Sequence, residues 1–247
     1  MLLLFDAGNT RLKWALVDEA GEVAQSGAAD YGSVDGLLQA MPASVGEILV
    51  SCVAGDQKKE LITQACERVF QVKPSFASVS AHVCGIQNSY QTLETLGVDR
   101  WVAALGVRDI VGNRVIVDAG TAVTIDLVDA SNRFRGGVIL PGARLMHSSL
   151  VGETAGIAAK HEAVNSVIGV TTQQCVNAGV NYGLIGAIEH IVEEMCKTAA
   201  SDDSWRILVC GGDGKWLVDE LKIGLPVTLD ENLIFKGLLN MKNAGAL

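Results

Sequence analysis

Hydrophobic and polar positions near the start of the chain predict two strands joined by a polar turn. Residues 2–5 form a continuous apolar run typical of a buried strand, and apolar and polar residues alternate over 12–16 as in a half-buried strand. The first turn, Asp-Ala-Gly-Asn-Thr at residues 6–10, lies between them. A second turn, Asp-Ala-Gly-Thr at residues 118–121, lies between two further apolar runs. The repeat predicts a duplicated domain.

The rest of the pattern predicts a similar order of elements in both halves. Further strands are expected at residues 22–29, 47–53, 114–118, 121–128, 134–140 and 205–210. Helices are expected at residues 33–38, 57–69 and 171–199, from Asp99, from about 142, and at 214–222. Each half therefore starts with three strands, which are followed by helices and a further strand.

The first turn collects groups that suit a phosphate. Gly8 lets a ligand approach the backbone closely, Asn9 and Thr10 carry short polar side chains, and Lys13 supplies a positive charge. Asp6 would repel a bare phosphate, but it is expected where a hydrated Mg²⁺ lies between them. The turn therefore predicts a metal–nucleotide site. Asp and Gly are also common in hairpin turns without any function, although two such turns between strands make that alternative weaker.

Three other motifs leave alternatives open. Asp99 either interacts with a helix dipole or accepts a proton, and Arg100 beside it can bind a carboxylate. The glycine-flanked strand at 136–142 is either a bulged strand or a place where a backbone or ligand approaches closely. Gly211 and Gly212 precede a helix, whose N-terminal N–H groups often bind nucleotides.

Composition narrows the class of protein. Hydrophobic residues make up 49% and charged residues 19% of the 247 residues, which is typical of a well-packed globular protein. The net charge of −9 and the lack of a long basic run argue against nucleic-acid partners. The six cysteines contain no C-x-x-C pair and are predicted to be free, buried thiols in a reducing cytosol. No apolar stretch reaches 18 residues and no signal peptide is evident, so we expect a cytoplasmic protein without a membrane span.

The ordered set of motifs resembles type III pantothenate kinase, within the superfamily of acetate and sugar kinases, heat-shock ATPases and actin. The motifs are Asp6 to Lys13, Tyr90 ahead of Leu96 to Trp101, Asp118 to Ala122, Gly136 to Gly142, Thr172 with Gly179, and the pair Gly211–Gly212. The resemblance implies an α/β fold of two duplicated ribonuclease H-like domains, the actin-like ATPase fold, each a mixed sheet with flanking helices. The domains would span 1–112 and 113–247, with a terminal helix from about 231 packing back on the first.

The same resemblance implies an activity and a set of site residues. The reaction would be ATP-dependent phosphorylation of pantothenate to 4'-phosphopantothenate, the first step of coenzyme A biosynthesis, by a homodimer that needs Mg²⁺ and K⁺ or NH₄⁺. Asp99 would be the general base, Asp6 would bind Mg²⁺ and Asp118 the monovalent cation. ATP would contact Asp6, Ala7, Gly8, Asn9, Thr10, Arg11, Leu12, Lys13, Thr121, Gly211 and Gly212. Pantothenate would contact Tyr90, Gly97, Val98, Asp99, Arg100 and Thr172.

The sequence departs from the family pattern at two places, and three alternative functions stay open. Leu93 stands where the family usually has proline, and Gly156 to Ala159 replace a common Leu-Pro. The alternatives are an actin-type nucleotide switch or filament, an accessory or regulatory protein of the same fold, and a kinase for another small hydroxyl substrate.

Overall fold

The computed structural model describes residues 1–154, 159, 160, 162, 164, 166–199 and 202–247. The chain divides into two compact units. The first unit consists of Met1–Ile110, Asn132–Phe134 and Asn232–Leu247, and the second consists of Val111–Ser131 and Arg135–Glu231. Residues 156–158, where the chain departs from the family pattern, lie outside the described residues.

Both units are built from strands and helices. The first unit contains strands β1 (Leu2–Ala7), β2 (Leu12–Val17), β3 (Val23–Ala29), β4 (Glu47–Cys52), β5 (Ser75–Phe76), β6 (His82–Val83) and β7 (Ile86–Asn88). Its helices are α1 (Val34–Gln39), α2 (Asp56–Phe70), α3 (Val98–Gly106) and α7 (Leu233–Asn243). The second unit contains β8 (Asn113–Ala119), β9 (Ala122–Val128), most of β10 (Arg133–Pro141), β11 (Trp205–Cys210) and β12 (Val227–Leu229). Its helices are α4 (Ala143–Glu153), α5 (Thr172–Ala199) and α6 (Gly214–Glu220).

The main sheets of the two units have the same strand order. The first runs β3-β2-β1-β4-β5, and the second contains β10-β9-β8-β11-β12 in the matching order. In each unit the central strand, β1 or β8, is antiparallel to the next strand of the chain and parallel to the strand on its other side. The predicted fold class, two duplicated ribonuclease H-like domains with mixed sheets and flanking helices, is therefore confirmed.

Buried central strands explain the apolar runs in the sequence. All six residues of β1 are buried, and Leu3 and Phe5 belong to the core cluster of the first unit. Val115 and Val117 of β8 occupy the equivalent place in the core of the second unit. Full burial of such a side chain stabilises the fold by about 1.5–3 kcal/mol. Strands covered on both faces carry continuous apolar runs instead of alternation, as the sequence of β1 shows.

The C-terminal helix α7 packs against α3 inside the first unit. A Cβ atom on Gly237 of α7 would overlap the carbonyl of Val102, and one on Gly106 of α3 would overlap the carbonyl of Leu233. The Asn240 side-chain amide also donates a hydrogen bond to the Leu105 carbonyl over 2.9 Å. These close backbone contacts fix α3, the helix that begins just before Asp99.

The structure adds detail that the pattern did not give. Strands β5, β6, β7 and β12 were missed because two or three residues are too short to show a period. The six cysteines form no disulfide, and Cys52, Cys66 and Cys210 are buried as expected. Cys84 and Cys196 are only half-buried, and Cys175, near the start of α5, is exposed. Within the described ranges, no helix is long and apolar enough to cross a membrane.

Candidate active site

The first turn places an acid and a base side by side. Asp6 is the second-last residue of β1 and is 8% exposed, and its cross-strand neighbour on β2 is Lys13. The Lys13 Nζ lies 4.0 Å from the Asp6 Oδ2, and about a third of the Lys13 side chain is exposed. Antiparallel pairing therefore brings together a carboxylate and an ammonium that are seven positions apart, and leaves the ammonium accessible to a ligand.

The connecting residues of the first turn offer mainly backbone and small polar groups. The Gly8 N–H donates to the Arg11 carbonyl over 3.1 Å, while Asn9, Thr10 and Arg11 are exposed. Ala7 and Leu12 are fully buried in the core cluster. Of the predicted ATP residues in this segment, these two can reach a nucleotide only through their backbone.

Two further residues hold the first turn, and the sequence analysis missed them. The Tyr31 hydroxyl donates to the Gly8 carbonyl over 2.6 Å, and the Lys58 ammonium donates to the Asn9 carbonyl. Tyr31 lies two positions after the end of β3, and Lys58 lies in the first turn of α2, the next element after β4. The sequence signal was their position after strands that neighbour β1 and β2. Using it requires knowing which strands pair.

The second turn has the same start and different surroundings. Asp118 is the second-last residue of β8, with Thr124 of β9 and Cys210 of β11 as its neighbours across the strands. The Gly120 N–H donates to the Ala122 carbonyl over 3.0 Å, and Thr121 is exposed. On the antiparallel side, the acid of the second turn therefore faces a hydroxyl where the acid of the first turn faces an ammonium. On the parallel side, Asp118 neighbours Cys210 and Asp6 neighbours Ser51.

Gly211 lies directly against the second turn. It has a φ of +92°, and a Cβ atom there would overlap the Ala119 carbonyl and come 2.5 Å from the Asp118 Oδ1. Only glycine fits this position without strain. The Asp213 N–H then donates to the Ala119 carbonyl over 3.0 Å. Of the predicted nucleotide residues in the second unit, Gly211 is thus brought into contact with Asp118, and Gly212 is its neighbour in the chain.

The glycine-flanked strand approaches backbone. Gly142 donates its N–H to the Thr121 carbonyl over 2.9 Å, and a Cβ atom on it would overlap the Gly120 carbonyl. A Cβ atom on Gly137 would overlap the Ile125 carbonyl in the same way. The alternative left open by the sequence, backbone or ligand, is resolved for these two glycines in favour of backbone.

A second cluster in the first unit surrounds Arg100. This arginine is 6% exposed, and its Nη1 donates to the Tyr90 hydroxyl over 3.3 Å. The Tyr90 ring lies 6.3 Å from the ring of Phe134, whose other neighbour is Trp101 at 6.0 Å. Arg100 is therefore not an exposed residue of the first helix turn. The guanidinium is a buried cation beside a phenol, which suits recognition of an anionic group.

Asp99 lies in the first turn of α3, next to this arginine. Its Oδ1 accepts the N–H of Arg100 over 2.8 Å, and a Cβ atom on Gly97 would come 2.6 Å from the same oxygen. Burial raises the pKa of the Asp99 carboxyl, while the N–H and the charge of Arg100 oppose that rise. A carboxylate with a raised pKa is a better proton acceptor, so the geometry is compatible with a general base.

The predicted pantothenate residues are divided between the units. Tyr90, Gly97, Val98, Asp99 and Arg100 belong to the first unit, and Thr172 belongs to the second. Thr172 is exposed at the start of α5 and lines an open depression of about 530 Å³ together with Leu150 and Gly179. Each unit thus supplies a separate part of the predicted substrate set.

The acidic residues suit nucleotide-bound cations more than a protein cage. Among the described residues, no three His, Cys, Asp or Glu side chains gather into a metal site. Mg²⁺ in nucleotide sites usually takes one or two carboxylates together with phosphate oxygens and waters. A single buried Asp6 at the first turn fits that arrangement. Asp118, beside the Ala119 carbonyl at the second turn, offers oxygen atoms of the type that a monovalent cation needs.

Comparison with solved structures supports the fold. A Campylobacter jejuni protein described as a Baf family transcriptional activator superposes with a TM-score of 0.62 at 20% identity, covering 99% of this chain and 100% of the other. A Sinorhizobium meliloti protein described as a 2-dehydro-3-deoxygalactonokinase gives 0.61 at 13% identity, with full coverage of both chains. At these identities the likeness shows the fold and nothing about substrates.

Comparison of sequences gives the family. A family model described as type III pantothenate kinase matches residues 2–194. A type III pantothenate kinase of Verminephrobacter eiseniae is 36% identical over 251 aligned residues, covering 97% of this chain and 96% of that protein. One of Marinobacter nauticus is 33% identical and covers all of both chains. With both the motifs and the relatives in agreement, the chain belongs to the type III pantothenate kinase family.

Proposed function

We propose that this chain phosphorylates pantothenate with ATP to give 4'-phosphopantothenate, the first step of coenzyme A biosynthesis, and that the residues described above perform the reaction. Family membership supports the activity. The observation that carries the assignment of residues is the cluster of Asp99, Tyr90 and the buried Arg100 in the same unit as the Asp6–Lys13 pair. A proton acceptor, an anion-binding cation and a phosphate-binding turn are the three parts that such a transfer needs.

ATP phosphates bind at the first turn in this proposal. The exposed backbone and side chains of Asn9 and Thr10 donate hydrogen bonds, and Lys13 adds a positive charge. Asp6 holds Mg²⁺, which neutralises phosphate charge when it is bound. Thr121, Gly211 and Gly212 of the second unit contact the nucleotide, and Asp118 binds the monovalent cation, K⁺ or NH₄⁺.

Pantothenate is bound and activated at the start of α3. Arg100 pairs with its carboxylate through the fork of the guanidinium, and Tyr90 and Gly97 shape the surroundings, with Thr172 as a further contact. The Asp99 carboxylate accepts the proton of the pantothenate hydroxyl group while the oxygen of that hydroxyl attacks the γ-phosphorus of ATP. ADP then leaves in line with the attacking oxygen. Positioning and proton removal are therefore the main contributions of this cluster.

A homodimer in the cytoplasm completes the proposal. Leu145 and Leu150 of α4, Tyr182 of α5 and the neighbouring Val170 are large apolar residues that the second unit exposes. Exposed apolar groups of this kind are common where a second subunit covers them. A sedimentation measurement at micromolar concentration tests the dimer, with Leu150→Glu as the variant expected to favour monomers.

The activity is tested by measuring ADP formation with and without pantothenate. We expect ADP release to depend on pantothenate and to stay at background with other small hydroxy acids, and Asp99→Asn should lower kcat by about 10²–10⁴-fold while ATP still binds. Glu94→Gln, an exposed change a few positions earlier, is the matched control. Equal ADP release without pantothenate would favour a nucleotide switch of the same fold instead.

The role of Arg100 has its own readout. Arg100→Lys keeps the charge but loses the two parallel hydrogen bonds of the guanidinium. We expect the KM for pantothenate to rise about tenfold or more, because a hydrogen bond to a charged group is lost, and the KM for ATP to stay near wild type. An unchanged KM for pantothenate would show that Arg100 only supports the fold.

A further inference from the structure

Two consecutive carbonyl groups of the first turn are held by side chains from outside the hairpin. The Gly8 carbonyl accepts the Tyr31 hydroxyl over 2.6 Å, and the Asn9 carbonyl accepts the Lys58 ammonium. Neither donor belongs to β1 or β2, since Tyr31 follows β3 and Lys58 lies on α2. Two otherwise separate elements of the first unit thus converge on adjacent peptide groups.

The two donors also lie against each other. The Lys58 Nζ lies 4.1 Å from the centroid of the Tyr31 ring, within the range of a cation–π contact. The carbonyls of Gly8 and Asn9 therefore both point toward this Tyr31–Lys58 pair. A third contact, the Gly8 N–H to the Arg11 carbonyl, closes the turn on its own side.

Because the peptide group is planar, these contacts also fix the directions of two N–H groups. In a trans peptide the carbonyl and the following N–H point in opposite directions. Holding the Gly8 carbonyl therefore fixes the Asn9 N–H, and holding the Asn9 carbonyl fixes the Thr10 N–H. Because both carbonyls point toward Tyr31 and Lys58, both N–H groups point away from them. Successive N–H groups turned to one side form an anion-binding concavity.

The Tyr31 hydroxyl stays in its donating form. Burial, followed by smaller effects of Cys52 and Asp6, raises the pKa of the Tyr31 phenol far above its ordinary value. The hydroxyl therefore keeps its proton over the whole range in which a carboxylate base works. Lys58 donates through an ammonium, which has no acceptor function and can only hold a carbonyl or another anion.

We propose that Tyr31 and Lys58 are positioning residues that aim the Asn9 and Thr10 N–H groups at the phosphates of ATP. They act through the backbone of the first turn and do not touch the reacting atoms. The proposal rests on the placement of ATP phosphates at this turn, as given under the proposed function. It predicts that two side chains outside the Asp6–Lys13 segment control affinity for ATP and leave affinity for pantothenate unchanged.

The test uses Tyr31→Phe and Lys58→Met in the full chain. Each should raise the KM for Mg–ATP and the Kd for ATP about tenfold, since each frees one peptide group that must then be ordered by the ligand. The KM for pantothenate should stay within about twofold. Lys59→Met is the matched control, because it removes the same charge from the next position, where the ammonium lies 6.0 Å from the Phe76 ring centroid and not on the turn.

Two additional variants sharpen the result. Lys58→Arg keeps a cationic donor and should recover most of the affinity for ATP that Lys58→Met loses. The double variant Tyr31→Phe with Lys58→Met should lose less than the product of the single losses, because both donors orient adjacent peptides of one turn. Rescue and coupling of this kind would not follow from a general loosening of the fold, which would instead lower Tm and raise both KM values.

The outcomes separate this inference from the proposed function. Wild-type affinity for ATP in both Tyr31→Phe and Lys58→Met, with affinity lost in Lys13→Gln, overturns the positioning role and leaves the phosphate site in place. Wild-type affinity in Lys13→Gln and Asp6→Asn as well overturns the phosphate site and the positioning role together. Affinity lost equally in Lys58→Met and Lys59→Met shows a charge effect and also overturns the positioning role.

Discussion

The two Asp-Ala-Gly turns share a backbone plan and differ in what surrounds them. Asp6 and Asp118 occupy the same place in two sheets of the same strand order, and the glycine two positions later closes each turn. The first acid faces Lys13 across the strands, whereas the second faces Thr124. The first acid therefore has an ammonium as its antiparallel neighbour, and the second has a hydroxyl there. An added monovalent cation at the second turn is part of the proposed function. The two sheets give both turns the same backbone arrangement, and the residue opposite each acid makes the two turns chemically different.

Substitutions of Asp6 and Asp118 should have the largest effects and should distinguish the two turns. Asp6→Asn should lower kcat/KM about 100-fold or more at every K⁺ concentration, because it removes the proposed Mg²⁺ ligand. Asp118→Ala should lose most activity too, but the remaining activity should no longer depend on K⁺ or NH₄⁺. Initial rates in Na⁺, K⁺ and NH₄⁺ buffers with varied Mg²⁺ distinguish the two. Full activity of the wild type in Na⁺ alone would contradict the cation role of Asp118.

Exchanging the cross-strand partners should convert one turn toward the other. Lys13→Thr gives the first turn the partner of the second and should raise the KM for ATP roughly 10- to 100-fold, as expected for a lost charged hydrogen bond. Thr124→Lys gives the second turn an ammonium beside Asp118 and should reduce the dependence on K⁺. Rates as a function of K⁺ measure the second effect. An unaltered K⁺ requirement in Thr124→Lys would show that the cation lies away from this strand pair.

Alanine at two glycines should separate ligand binding from stability. Gly211→Ala forces a side chain onto a φ of +92° and into the Ala119 carbonyl, so it should cost about 1–3 kcal/mol of unfolding free energy. Gly8→Ala meets only the Arg11 carbonyl at 3.5 Å, an ordinary contact. Its Tm should stay near wild type while the KM for ATP rises. A denaturant titration and ATP kinetics on both variants test this contrast.

The smallest effect concerns Asp99, which neither turn contains. Its pKa is raised in the folded state by burial, so the folded chain holds this proton more tightly than the unfolded chain does. Stability is therefore lost as pH rises from the ordinary carboxyl value through the raised one. Asp99→Asn should raise Tm at pH 7, by about 2–4 °C for each kcal/mol of relieved desolvation, and the gain should vanish near about pH 3. If Asp99→Asn and the wild type had the same Tm at each of the two pH values, that result would argue against a desolvated Asp99 carboxylate.

Sequence reasoning succeeded where the signal is local. The buried run of β1, the alternation in β2 and the acidic turn between them are all readable within 17 residues, and the matching order of elements in the second half gave the duplicated fold. Asp99 and Arg100 were also found, because an acid and a base beside a glycine at a helix start stand out within five positions. The roles assigned to these residues and the domain boundaries stay predictions.

What the sequence could not give depends on the pairing of distant segments. Tyr31 and Lys58 contact the first turn only because β3 pairs with β2 and β4 pairs with β1. The burial of Arg100 and its contact with the Tyr90 hydroxyl arise from tertiary packing, which the local pattern around Arg100 does not show. At Gly142 the sequence did not distinguish a close approach by backbone from one by a ligand, since a glycine is compatible with either.

The packing of α7 on α3 has a consequence for synthesis of the chain. Residues 232–247 belong to the first unit, yet the ribosome makes them only after the whole second unit. At about 5–20 residues per second, the intervening stretch of some 120 residues takes roughly 6 to 24 s to translate. During that time the face of α3 that will receive Gly237 and Asn240 lacks its cover. The nascent first unit therefore exposes an apolar helix surface that a ribosome-associated chaperone could protect, and its candidate catalytic helix gains firm support only late in translation.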